Sequence, residues 1–182
     1  YLEEEVRREA LVRKLGDFAK FLRLAASEAG QLQNFNRISQ DIGVAQTTIS
    51  SYYQILEDCL IAERIEPFAK HGIVRRRLVK TAKYLFFDLG IRRVAAHEGI
   101  KLPEESMGQL LEQMVGLELQ RLIRNRTERI LLNFWRDLEG REVDWIISIS
   151  DVIIPVEVKW TDNPKKKHVQ HLMTFLDDYK LE

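Results

Sequence analysis

At 182 residues, 45% hydrophobic and 31% charged with a mean hydropathy of -0.26, the chain has the composition of a soluble globular protein and the length for one large or two small domains. Lys plus Arg equals Asp plus Glu at 28 each, so net charge gives no global argument for a nucleic-acid partner. No run approaches the ~18 apolar residues of a membrane-spanning helix, and the single Cys59 excludes an internal disulfide framework and fits a reducing cytoplasm. The opening YLEEEVRREA lacks the basic end and apolar core of a signal peptide. Its first residue, Tyr1 rather than Met, suggests a fragment whose upstream partners lie elsewhere in the same polypeptide.

Leu2, Val6, Ala10, Leu11, Leu15, Phe18, Phe21, Leu22 and Leu24 recur at steps near 3.6, which predicts a helix over 2–28 ended at Gly30. Residues 36–68 then read as a short helix, a turn at Gly43, a second helix from about Gln46 to Asp58, and a strand. That succession is the helix-turn-helix pattern followed by the first strand of a wing. Gly72 suits the tip of the wing hairpin, and Arg75, Arg76 and Arg77 belong to a basic cluster that also takes in Lys70, Lys80 and Lys83. A strand in KYLFFDLG and a short helix in IRRVAAHEG follow. Residues 97–105, with Gly99 and Pro103, are the best linker, which divides the chain into domains at 1–98 and 99–182.

The second half opens with a helix over about 105–125, then strands at 128–135, 142–149 and 152–160 joined by DLEG and SD turns, and a last helix over about 164–179. The expected fold class is α/β (α+β), a winged helix-turn-helix followed by an α/β domain with a mostly antiparallel sheet.

A recognition helix needs short polar side chains near its start, and Gln46, Thr47, Thr48 and Ser50 supply them, while Ile49, Tyr53 and Leu56 turn inward. This helix holds no Arg or Lys, so affinity for DNA would lean on the wing and Arg75 to Arg77. Use of the same fold for protein contact is the competing reading.

In REVDWIISISDVIIPVEVKW, period-two alternation puts Glu157 and Lys159 on one face and Asp144 in phase with Glu142. If the two strands pair across the Ser150-Asp151 turn, Asp144 and Glu157 lie opposite each other or one diagonal apart. Two buried carboxylates at that distance are costly, and a divalent cation such as Mg²⁺ is the usual compensation. A lysine beside them can orient the attacking water and stabilise charge on a scissile phosphate. The bland alternative has Asp144 and Glu157 facing solvent, with Lys159 simply paired to them.

Asp144 followed thirteen residues later by Glu157-Val158-Lys159 resembles the PD-(D/E)xK restriction-endonuclease-like superfamily, in its Holliday-junction-resolvase branch. The resemblance implies a further acid on the preceding helix: GQLLE supplies Glu112, with Glu118 of GLELQ as the rival. The wider strings YLFFDLGIRR, GQLLEQMVGLEL, LNFWRDLEGREVDWII and PVEVKW resemble the uncharacterised C-terminal region that follows an AAA-type ATPase module in many bacterial and archaeal proteins, across roughly residues 35–180. No G-x-x-x-x-G-K-[ST] occurs, so the resemblance places any ATP binding in a missing upstream module. It implies DNA binding, with Lys159, Asp144 and Glu157 catalytic and Glu112, Asp144 and Glu157 holding Mg²⁺. The alternative it leaves open is a non-catalytic adaptor that binds DNA or a protein partner and regulates the ATPase. Arg136 is a candidate phosphate contact, or else a partner for Asp137 or Glu142. The four histidines show no zinc-ligand spacing, and no nucleophile motif is present.

Overall fold

The computed structural model describes residues 14–69 and 81–181. Its elements are α1 (Leu15–Ser27), α2 (Phe35–Ile42), α3 (Gln46–Asp58), β1 (Ala62–Ile65), β2 (Lys83–Phe86), α4 (Leu89–Ala95), α5 (Met107–Arg124), β3 (Ile130–Arg136), β4 (Glu142–Ile149), β5 (Val152–Val156) and α6 (Gln170–Tyr179). Short 3₁₀ turns at Glu104–Ser106 and Lys166–Val169 lead into α5 and α6. The fold is mixed α+β, with β1 and β2 in one small sheet and β3-β4-β5 in another. Among the described residues no helix is long and apolar enough to cross a membrane. The expected wing tip at Gly72 and the cluster Arg75, Arg76 and Arg77 lie outside the described residues.

Two compact units emerge, one of Tyr1–Arg64 with Tyr84–Lys101 and one of Ile65–Lys83 with Leu102–Glu182. Residues 65–69 and 81–83, which the sequence groups with the helix-turn-helix, thus fall with the second unit. The cause is local. Phe68 N donates to Phe134 O at 2.6 Å, Pro67 forms a parallel bridge with Phe134, and the Phe68 ring packs edge-on against Phe175 and Tyr179.

In the first unit, α1 buries Phe18, Phe21, Ala25 and Ala26, a helical stripe that packs Phe18 and Phe21 on Tyr52 and Phe21 on Tyr53 of α3. Asn34 caps α2 by accepting from Arg37 N, and Gly43 ends it with φ +81, a left-handed conformation that a side chain would strain. Inside this unit the buried Gln33 satisfies its amide fully, donating to the Glu28 and Gln31 carbonyls and accepting from Tyr53 Oη. Tyr53 is stacked between Phe35 and Tyr84, and burial pushes its pKa up. Buried Arg92 donates to Ala26 O and pairs with Glu98.

In the second unit, β4 pairs antiparallel with both neighbours. On the β5 side the register runs Trp145↔Val156 to Ile149↔Val152, the pairing expected about the Ser150-Asp151 turn. A core of Phe68, Trp135, Val143, Ile146, Phe175 and Tyr179 holds α6 to the sheet. Helix α5 meets the sheet through Gly116, where an added Cβ would lie 2.4 Å from the Trp145 ring. Two expected elements are shorter than read. Strand β5 stops at Val156 rather than 160 because Val158 N donates to the Asp144 side chain at 2.7 Å instead of to a ladder carbonyl. The last helix proper begins at Gln170, the preceding turn being 3₁₀.

Candidate metal-binding acid cluster

Every residue of the cluster belongs to the second unit. Strand β4 presents Glu142 and Asp144 two residues apart on one face, and the register past the end of β5 brings Glu157 toward Asp144. Lys159 Nζ contacts both acids, at 3.8 Å from Asp144 Oδ2 and in a close ion pair with Glu157 Oε1. The Asp144 and Glu157 side chains are only 10% and 8% exposed, whereas Lys159 is 42% exposed, so a solvent-accessible ammonium sits over two buried carboxylates. Glu157 Oε2 is buried and has no hydrogen-bond partner among the described residues.

Helix α5 adds Glu112, and one carboxylate oxygen from each of Glu112, Glu142 and Asp144 lies within 4.8 Å of the other two. Its rival Glu118 is 57% exposed and pairs with Arg121 on the same helix, six residues and about 240° from Glu112. The Trp145 indole donates to the Glu112 carbonyl at 3.2 Å, which ties this turn of α5 to β4.

Lys83, which in the sequence belongs only to a basic cluster, lies at the start of β2. Its ammonium is buried, 3.0 Å from Glu112 Oε1 and 2.5 Å from Glu142 Oε1, and it lies 5.0 Å from the centre of the Phe134 ring and 5.6 Å from that of Trp145. Arg136 takes the other oxygen of Glu142 at 2.8 Å, which is the carboxylate-partner position open to it from sequence.

Electrostatics follow burial. Glu112 is pushed up to about 6, chiefly by burial and further by Asp144 and Glu142, against the opposing pull of Lys83. Asp144 is raised by burial, partly offset by the Val158 N–H and the Lys159 and Lys83 charges. Burial likewise raises Glu157 against its bond from Lys159. For Lys83 burial acts to discharge the ammonium, but Glu112 and Glu142 more than compensate, and its pKa lies above the ordinary lysine value. Four carboxylates face three cations, so the cluster retains negative charge and an all-oxygen donor set suited to a hard divalent ion.

Lys83 and Glu142 were the residues sequence reasoning missed. For Glu142 a signal existed in its two-residue spacing from Asp144, whereas nothing in the sequence ties Lys83 to an acid 29 residues away. Gln46, Thr47 and Ser50 are exposed at the start of α3 and Thr48 is half-buried; Ile49, Tyr53 and Leu56 are buried beneath them.

Comparison with known proteins gives families without an assigned activity. A model for a domain of unknown function, DUF4143, matches residues 107–182. Uncharacterized proteins of Mycobacterium bovis and Mycobacterium tuberculosis are each 30% identical over 141 residues, which cover 74% of this chain and 30% of theirs. An uncharacterized protein of Haemophilus influenzae is 27% identical over 160 residues, 85% of this chain and 37% of its own length. The chain therefore spans roughly a third of the length of these relatives. No solved structure matches it significantly. The model for a second domain of unknown function, DUF8612, matches residues 1–104, more than half the chain, and the protein belongs to that family.

Proposed function

We propose that this chain is the C-terminal region of an AAA-type ATPase that binds nucleic acid, and that its second unit is a divalent-metal-dependent phosphodiester-cleaving site. DUF4143 is a domain often found with AAA ATPases, and the greater length of the relatives leaves room for such a module upstream. The observation that carries the cleavage reading is the buried, unpartnered Glu157 Oε2 beside Asp144 and Lys159, because a buried carboxylate oxygen without a donor is costly unless a cation takes it.

Asp144, Glu157 and Glu112 would hold Mg²⁺, which supplies Lewis-acid stabilisation of a phosphate oxygen. Lys159, anchored by both acids yet open to solvent, would orient the attacking water and counter charge developing on the phosphate. The polar outer surface of α3, with Gln46, Thr47 and Ser50 exposed, is the base- or phosphate-contacting surface. Arg136 pairs with Glu142 through one nitrogen and stays 37% exposed, and with Arg75, Arg76 and Arg77 it is a candidate phosphate contact.

Incubation with linear and branched DNA in Mg²⁺ or Mn²⁺ tests the reading. Cleavage that disappears in Asp144→Asn, with DNA binding retained, is the expected result. Binding without cleavage at high protein concentration would refute it and leave the adaptor reading, in which both units bind DNA or protein and regulate the ATPase. One observation favours that second reading: Lys83 already neutralises Glu112 and Glu142 without any metal.

A further inference from the structure

The acid cluster contains a cation of its own. Lys83 Nζ sits between Glu112 Oε1 and Glu142 Oε1, at 3.0 and 2.5 Å, with its side chain only 3% exposed. Phe134 and Trp145 present their rings to the same ammonium. Both oxygens of Glu142 are engaged by cations, Oε1 by Lys83 and Oε2 by Arg136. On the other side of the cluster no such saturation exists: Glu157 Oε2 is buried and unpartnered among the described residues, and Asp144 is held by one backbone N–H and a more distant Lys159. The cluster is thus divided into a half filled by protein cations and a half with an open oxygen. Two divalent ions a few Å apart need carboxylates that bridge or flank both, and here Glu142, which would flank the second, has both oxygens committed, whereas Lys83 takes only Oε1 of Glu112.

We propose that Lys83 is a positioning residue that fills the cation position between Glu112 and Glu142, so that the cluster takes a single divalent ion on its Asp144–Glu157 side and Glu142 is not a ligand. This rests on the metal-site reading for the Asp144–Glu157 half, but not for the role of Lys83 itself. The chemistry explains why a lysine is buried there: without it Glu112 would lose its cation and Glu142 would keep only Arg136, with both carboxylates within 4.8 Å of each other and of Asp144. It also restricts the mechanism, since one ion and Lys159 must share the work that two ions perform in a two-metal site.

Mn²⁺ titration of the 182-residue chain, followed by calorimetry and by the paramagnetic resonance of free Mn²⁺, tests the proposal. Unsubstituted protein should bind one Mn²⁺, lost in Asp144→Asn; Glu142→Gln should still bind one; Lys83→Met should bind a second; and Lys83→Arg, which keeps the charge, should behave as the unsubstituted chain. Should Lys83→Met unfold for want of its cation, recovery of its circular dichroism on adding Mn²⁺ is the expected outcome, and failure to recover counts against the proposal. Loss of Mn²⁺ binding in Glu142→Gln, or unchanged stoichiometry in a folded Lys83→Met, overturns it while leaving the Asp144-dependent site standing. Conversely, unsubstituted protein that binds no Mn²⁺ while Lys83→Met binds one overturns the cleavage reading and keeps Lys83 as the resident cation.

Discussion

Gly116 is the residue on which the approach of α5 to the sheet depends. A Cβ there would stand 2.4 Å from the Trp145 ring, and that ring is fully buried and cannot swing away without opening the core. Gly116→Ala gains about 1 kcal/mol of helix propensity but forces overpacking that typically costs about 1–3 kcal/mol. We therefore expect a net loss in urea unfolding, together with weaker binding of the proposed divalent ion, because Trp145 also holds the Glu112 carbonyl. Glu112 itself gives stability a pH dependence. Its folded-state value of about 6 lies above the ordinary 4.5, so the native protein binds the extra proton in that window and is destabilised as pH rises through it. The corresponding loss is about 2 kcal/mol between about pH 4.5 and pH 6, and Glu112→Gln should flatten that part of the curve when urea midpoints are compared across it.

Among the elements, the β3–β4 connection is set by Asp137. Its Oδ1 accepts from Glu139 N and Arg141 N, and its Oδ2 from Arg141 Nε at 2.6 Å, while Gly140 supplies the positive φ the turn requires. Burial acts to raise the Asp137 pKa, yet the bonds from Arg141 and Glu139 prevail and hold it below the usual aspartate value. Its stabilising effect is therefore present at neutral pH and lost as pH falls through that depressed value. Asp137→Ala should cost about 1.5–3 kcal/mol, the range for hydrogen bonds to a charged group, and should remove this share of the acid sensitivity in thermal melts. Helix α3 permits a different expectation. Because it holds no Arg or Lys, substituting Gln46, Thr47 and Ser50 with Ala should weaken DNA binding without altering the slope of affinity against salt, which reports phosphate contacts made elsewhere.

At the scale of the whole molecule the path of the chain matters more than its two cores. The chain leaves the first unit after Arg64, serves the second through Lys83, returns at Tyr84 and re-enters the second unit at Leu102. A fragment that starts at residue 99 accordingly lacks Phe68, a member of the second core, and Lys83, the cation of the acid cluster. We expect such a fragment to melt without a cooperative transition by circular dichroism, and a fragment that starts at residue 65 to recover it.

What the sequence determined by itself is whatever depends on neighbours along the chain. The 3.6 and 2.0 periodicities give the helices and strands, Gly43 gives the end of α2, and the two-residue turn at Ser150-Asp151 gives the register that brings Glu157 toward Asp144. The tertiary structure decided what depends on contacts between distant segments. Lys83 and Phe68 look like parts of a basic wing and its approach until packing carries them to α5, β4 and α6. That Glu112 rather than Glu118 lies beside Asp144 and Glu142 follows from the rotation of α5, which the Gly116–Trp145 contact sets. A side-chain charge has no periodicity to announce its partner, so the ion that neutralises an acid cluster becomes visible only when the chain has folded around it.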